Sequence, residues 1–116
     1  MSKSGNLLIN AEPPSTGERF EDIGSIGDIR IERIVSSALP DTGLQCQSHD
    51  EWVLLVAGAA TLEVVDAQGQ ATEVALRPGD WRFIAAFAPH RVLATVSGTV
   101  WLALHAPPVA PAEAGG

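Results

Sequence analysis

The segment QCQSHDEWVLLVAG, residues 45–58, decides the fold of this chain because a polar stretch changes abruptly into an aliphatic one. Its second half is short, rich in Val and Leu and closed by a glycine, which indicates a buried β-strand. Its first half places His49, Asp50 and Glu51 directly before that strand. The polar residues are either the rim of a metal or substrate site or an ordinary turn.

The rest of the chain predicts further short strands. The segments DIRIERIVS (28–36), WRFIAA (81–86), HRVLATV (90–96) and TVWLALHA (99–106) are strand-like, and residues 60–76 predict a hairpin that turns at Gly69. Turn signals recur about every 8 to 12 residues, and no segment keeps apolar residues at helical spacing for three turns. The pattern predicts an all-β sandwich or barrel.

Composition excludes several classes of protein. The chain has 116 residues, which is enough for one domain, and a net charge of −7, which disfavours a nucleic-acid-binding face. It has one cysteine, no apolar run long enough to cross a bilayer, and an N-terminus without a signal-peptide core, so we expect a cytoplasmic protein with no membrane partner. We expect a flexible lead-in over residues 1–17, a barrel domain over 18–106 and a Pro/Ala/Gly-rich tail over 107–116.

Two spacings within this strand pattern resemble the cupin family. Glu51, six residues and Gly58 are similar to the end of the family's first motif, and Gly79 and His90 keep the spacing of its second motif. Ala85 and Phe87 stand where that second motif has a proline and a glycine. The resemblance covers about residues 28–105, extends to a small bacterial subgroup without a settled activity, and implies a double-stranded β-helix (jelly-roll) barrel.

The resemblance also implies a metal site, from which this chain departs. Gln45 and Gln47 occupy the places of the family's His-x-His pair, so two of the usual four ligands are amides. Glu51 and His90 remain, and we expect them to meet inside the barrel, where they could bind a divalent metal (Zn, Fe, Mn or Ni) or act as general acid and base without one. Their meeting is the observation on which the site depends.

The other candidate metal ligands are His49 and Gln47. His49 lies two residues before Glu51 and shares its face in an extended strand, so with His90 it would complete a two-histidine, one-carboxylate set. The alternative for His49 is a solvated turn residue. Gln47 can offer its carbonyl oxygen to a metal or a polar ligand, or it can satisfy neighbouring backbone groups.

Three further residues are expected near the ligand pocket: Gln45, Trp101 and His105. Trp101 and His105 share one face of the last strand, although either face could point inward. We expect core packing for Trp81 and a surface position for Arg33.

Three functions remain open. The first is a cupin that binds a divalent metal and a small polar molecule, with metal-dependent isomerase- or oxygenase-type chemistry if it is catalytic. The second is a metal-free ligand-binding module. The third is a structural role as a homodimer, in which residues 28–36 extend a neighbour's sheet. No catalytic residue is assigned.

Overall fold

The computed structural model describes residues 3–41 and 43–108, which form eight β-strands and no helix. The strands are β1 (Glu18–Ile26), β2 (Ile29–Ser36), β3 (Asp50–Ala57), β4 (Ala60–Val65), β5 (Ala71–Leu76), β6 (Trp81–Ile84), β7 (His90–Thr95) and β8 (Thr99–Ala106). They make two antiparallel sheets, one ordered β1-β2-β8-β3-β6 and one ordered β5-β4-β7. The all-β prediction is confirmed. None of the described residues belongs to a helix that could cross a membrane.

The core lies between the two sheets and follows from strict alternation along the strands. On β3, Val53 and Leu55 are buried while their neighbours are partly exposed, and Leu62 on β4 follows the same rule. Strand β8 contributes Trp101 and Ala103 from one face. Alternation of this kind gives each sheet one apolar face that must pack against the other sheet.

The outer face of the larger sheet carries the other two tryptophans. Trp52 points away from the core and its ring centroid lies 6.1 Å from that of Trp81. Trp81 is 60% exposed, so the prediction of core packing is wrong for it. The reason is that β6 is an edge strand, and its outer face has only the neighbouring strand to pack against.

Strand β1 has no counterpart among the predicted strands. Its sequence, ERFEDIGSI, lacks regular alternation, and its pairing with β2 is interrupted by a bulge between Asp22 and Gly24. Strand β2 therefore lies between β1 and β8, with both edges paired. The prediction that residues 28–36 extend a neighbour's sheet is wrong, because the free edges of this sheet belong to β1 and β6.

Arg33 is buried, so the prediction of a surface position is also wrong. Its guanidinium makes a bidentate contact with Glu21, at 2.8 Å to each carboxylate oxygen, and donates to the backbone carbonyls of Leu7, Ile9 and Asn10 at 2.9, 2.7 and 3.1 Å. A planar guanidinium can satisfy a carboxylate and several carbonyls at once. Arg33 thus holds the turn over residues 7–10 against the sheet. The domain boundaries stay a prediction, and residues 109–116 of the expected tail lie outside the described residues.

Two residues with positive φ, Gly58 and Phe87, lie at positions where the cupin motifs have a glycine. Gly58 has φ +92°, and a Cβ placed there would lie 2.8 Å from the Cα of Thr99, so only glycine fits. Phe87 has φ +66° at the place where the family's second motif has a glycine. A bulky residue in this left-handed region is strained. The Phe87 turn leads directly into β7, whose first residue is His90.

Candidate functional site

A cavity of about 320 Å³ opens between the two sheets and holds several of the predicted site residues. Its polar lining includes Gln45, Gln47, Glu51 and His90, and its apolar lining includes Trp101. The volume lies at the lower end of the range for small-molecule sites.

Backbone hydrogen bonds bring the polar stretch alongside His90. Gln45 and His90 form a bridge in which each amide donates to the other's carbonyl, at 2.7 and 2.9 Å. The amide of Phe87 donates to the carbonyl of Gln47 at 2.6 Å. Residues 45 and 47 therefore run antiparallel to the start of β7, which explains how positions more than forty residues apart share one cavity.

Glu51 and His90 meet inside the barrel, as predicted. Both are buried, at 6% and 7% exposure, and His90 Nε2 lies 3.7 Å from Glu51 Oε1. The other ring nitrogen of His90, Nδ1, is 3.0 Å from the carbonyl oxygen of Ala88, which can only accept a hydrogen bond. This contact assigns a proton to Nδ1 and turns Nε2 toward the carboxylate.

The Glu51–His90 pair is thus a buried carboxylate and imidazole that face each other without a direct hydrogen bond. With neutral His90 both facing atoms are acceptors, and 3.7 Å is too long for a direct hydrogen bond. Either a second proton on the imidazole or a cation between the two groups would turn this arrangement into an attractive one. Two atoms that each lie about 2.1 Å from one metal ion can be at most about 4.2 Å apart, so the spacing is compatible with a shared ion.

Gln47 adds an unsatisfied acceptor to the same cavity. Its Oε1 is buried and has no hydrogen-bond partner among the described residues. A buried acceptor without a partner costs about 1–3 kcal/mol, so this oxygen would gain from a ligand donor, a cation or a water molecule. Gln45 also lines the cavity but is exposed.

His49 does not join Glu51 and His90. Its Nε2 lies 2.9 Å from His105 Nδ1, and His105 Nε2 lies 2.8 Å from Glu32 Oε1. Because the Glu32 carboxylate accepts, His105 carries a proton on Nε2, and one of the facing nitrogens of His49 and His105 donates to the other. Burial lowers the pKa of His49, and its proximity to His105 lowers it further.

His105 faces inward with Trp101 and Ala103, and it sits directly opposite Glu51 in the β3–β8 register. Neither His105 nor His49 lines the cavity itself. The chain of His49, His105 and Glu32 is therefore a separate polar group beside the Glu51 end of the site. In the part of the chain that the structure describes, no group of three His, Cys, Asp or Glu residues is arranged to hold a metal ion.

Glu18 on β1 is a cavity residue that sequence analysis missed. Trp101 Nε1 donates to Ser36 Oγ at 3.0 Å, and Ser36 Oγ donates to Glu18 Oε2 at 2.6 Å. Burial raises the pKa of Glu18 and the nearby carboxylate of Glu51 contributes in the same direction, whereas the Ser36 hydrogen bond opposes the rise. No motif or alternation marks this residue in the sequence.

Comparison with solved structures finds proteins that are similar to this chain. A protein from Ralstonia eutropha JMP134, named as a candidate mannose-6-phosphate isomerase, is 35% identical with a TM-score of 0.77, and the match covers 91% of this chain and 99% of that one. An RmlC-like cupin from Desulfovibrio desulfuricans is 17% identical, with a TM-score of 0.72 over 94% of this chain and 100% of that one.

Oxalate decarboxylase from Bacillus subtilis, which contains Mn(II) centres, is 16% identical with a TM-score of 0.65, over 87% of this chain and 28% of that one. No family model matches the sequence, and no curated protein matches it. The Ralstonia protein shares both length and sequence with this chain, and the more distant structures share the barrel. The chain therefore belongs to the cupin family.

Proposed function

We propose that this protein binds a divalent metal ion and a small polar ligand in the cavity of its barrel. Glu51 and His90 are the main metal ligands, and Gln47 contributes its amide oxygen. The single observation that supports this most is the Glu51–His90 pair, in which a buried carboxylate and a buried imidazole Nε2 face each other at 3.7 Å. A cation between the two groups can bind both at once.

The donor set fits a weakly held metal ion. One carboxylate and one imidazole are strong ligands, and the Ala88 carbonyl orients His90 in the way that outer groups orient metal-binding histidines. The buried Oε1 of Gln47, which has no partner among the residues that the structure describes, is a neutral third ligand that suits a hard cation such as Mn²⁺ better than a soft one. A bound ion would supply a positive charge to polarise a ligand oxygen.

The experiment measures Mn²⁺ and Zn²⁺ binding by isothermal titration and metal content by elemental analysis. His90→Ala is expected to weaken binding more than about tenfold, since it removes one of two strong ligands. His105→Ala is the matched control, because His105 is equally buried but points to Glu32. It should retain the metal affinity of the unmodified protein.

A gain of affinity provides the complementary test. The double variant Gln45→His, Gln47→His restores the family's His-x-His pair beside His90 and should bind Zn²⁺ more than about tenfold more tightly. Absence of binding to Mn²⁺, Zn²⁺, Fe²⁺ and Ni²⁺ in the unmodified protein overturns the metal part of the proposal. Equal loss in the His90 and His105 variants overturns the assignment of the ligands.

A metal-free binding module is the second candidate. It is favoured by the lack, among the described residues, of three His, Cys, Asp or Glu side chains that converge on one point. In that case the glutamines would hydrogen-bond a polar ligand directly. A ligand that raises the melting temperature equally with and without a chelator would support this function over the first.

We also propose that the protein is a homodimer in which a second copy covers the free edge of β1. Ile23 and Ile26 on this strand are exposed, and the strand offers unpaired backbone groups at the sheet edge. Light scattering coupled to gel filtration should give twice the chain mass, and Ile26→Lys should give the monomer mass. A monomeric unmodified protein overturns this proposal; the cytoplasmic location stays a prediction.

A further inference from the structure

We infer that the cavity takes a small, non-anionic molecule rich in hydrogen-bond donors, such as a neutral polyol, and that Glu18 is one of its binding residues. This inference rests on the proposed function, because it names the class of the polar ligand and adds a residue to the site. It separates this chain from any role that requires a phosphorylated ligand.

The first support is the balance of donors and acceptors in the cavity wall. Besides the proposed metal ligands Glu51 and Gln47, the wall carries the carboxylates of Glu18 and Asp41 as acceptors. Hydroxyl and amine groups satisfy such acceptors, whereas a phosphate presents only further acceptors at neutral pH. A site with unpaired buried acceptors rejects a ligand that leaves them unpaired.

The second support is the charge around the cavity. Three carboxylates line it, against one guanidinium, that of Arg91, and the imidazole of His90. Arg91 Nε already donates to Glu63 Oε1 at 2.7 Å, so its charge is engaged by a carboxylate. The lining residues of this cavity include no arginine or lysine that is free of a carboxylate partner. Anion recognition depends on such groups, so an anion should bind poorly here.

The third support is the way in which Glu18 is held. The Nε1 group of the buried Trp101 fixes Ser36, and the Ser36 hydroxyl directs its proton to one oxygen of Glu18. Within the described residues that hydroxyl is the only hydrogen-bond partner of the carboxyl group, which leaves Oε1 for a ligand. Such a supported side chain is positioned before the ligand arrives.

The test compares D-mannose with D-mannose 6-phosphate, which share one sugar and differ in charge. Each is titrated at pH 7.5 into ¹⁵N-labelled protein, and the amide shifts of cavity residues are followed. Mannose is expected to perturb them with an affinity at least about tenfold higher than that of its phosphate. Glu18→Gln should shift this preference toward the phosphate by about threefold or more, since one negative charge is removed.

Glu21→Gln is the matched control. It removes the same charge from the same strand, but Glu21 binds Arg33 and does not line the cavity. It should leave the preference unchanged. Tighter binding of the phosphate than of mannose, or an equal effect of the two variants, overturns the inference.

Failure of the inference can be told from failure of the proposed function. If Mn²⁺ perturbs the cavity amides and neither sugar does, the inference is overturned and the metal site stands. If the metal and both sugars leave these amides unchanged, the proposed function is overturned together with the inference. Melting curves of both variants confirm that each is folded before titration.

Discussion

The left-handed backbone of Phe87 offers a sharp test of the turn that delivers His90. Phe87 has φ +66° and an exposed side chain, so the fold gains little from its ring. A non-glycine residue in this region costs about 1–2 kcal/mol. Glycine avoids that cost but loses about 0.5–1 kcal/mol through the flexibility of the unfolded chain. We therefore expect glycine to be better than alanine here.

Both Phe87→Gly and Phe87→Ala lack the aromatic ring, so the difference in stability between these variants does not depend on the ring's contacts. The ring is 66% exposed, so its loss should cost each variant about 0.5–1 kcal/mol. Phe87→Gly should be more stable than Phe87→Ala by about 0.5–1 kcal/mol, which corresponds to roughly 2–4 °C in melting temperature for a chain of this size. Asparagine, which tolerates this region, should fall between the two.

Urea denaturation followed by tryptophan fluorescence measures these differences, and Thr72 provides the control. Thr72 is exposed in the middle of β5 and has no positive φ, so glycine there should be less stable than alanine. The sign of the glycine–alanine difference must reverse between positions 72 and 87. A Phe87→Gly protein that is less stable than Phe87→Ala would show that the turn is not strained as described.

Contacts elsewhere in the fold give three further predictions, each measurable by denaturation. Gly58→Ala should cost more than about 3 kcal/mol because its Cβ meets backbone, whereas Gly69→Ala, with open space and the same sign of φ, should cost only about 1–2 kcal/mol. Arg33→Met should speed hydrogen exchange in the turn over residues 7–10 and lower the free energy of unfolding by about 2–3 kcal/mol. Unchanged exchange would contradict the role of Arg33 in holding this turn against the sheet.

The pKa of Glu18 is raised and that of Glu21 is lowered by Arg33, so their Gln variants should respond to pH in opposite directions. Glu18→Gln should be more stable than the unmodified protein at pH 7, with the gain vanishing below about pH 4.5. Glu21→Gln should be less stable at pH 7 by under about 1 kcal/mol, because the pair is partly exposed, with the loss vanishing as pH falls.

Sequence patterns could predict the strands that bury alternate residues. Strands β3, β4 and β8 each carry a regular apolar face, and the turn glycines between strands mark where they end. The pairing of Glu51 with His90 could be predicted because two family spacings placed both residues at fixed points of these strands. Their distance could not, since it depends on how two sheets pack.

The residues that the sequence did not place correctly share one property: their surroundings come from distant strands. Trp81 is exposed because β6 lies at a sheet edge, and Arg33 is buried because an N-terminal turn folds over it. For His49 the sequence leaves a metal ligand and a solvated residue open, yet its ring is hydrogen-bonded to that of His105, 56 positions away. Contacts with distant parts of the chain decide all three positions, and local patterns do not contain these contacts.

The change of two histidines to glutamines alters what the cavity can bind without emptying it of polar groups. An imidazole offers a strong lone pair to a metal, whereas an amide offers a neutral oxygen and an N–H group to a ligand. Glu51 and His90 still face each other at 3.7 Å, and Gln47 Oε1 has no hydrogen-bond partner in the described part of the chain. When Glu51, His90 and Gln47 hold a metal ion, Glu18 and Asp41 remain in the wall as acceptors, and these two carboxylates should favour donor-rich ligands over anions.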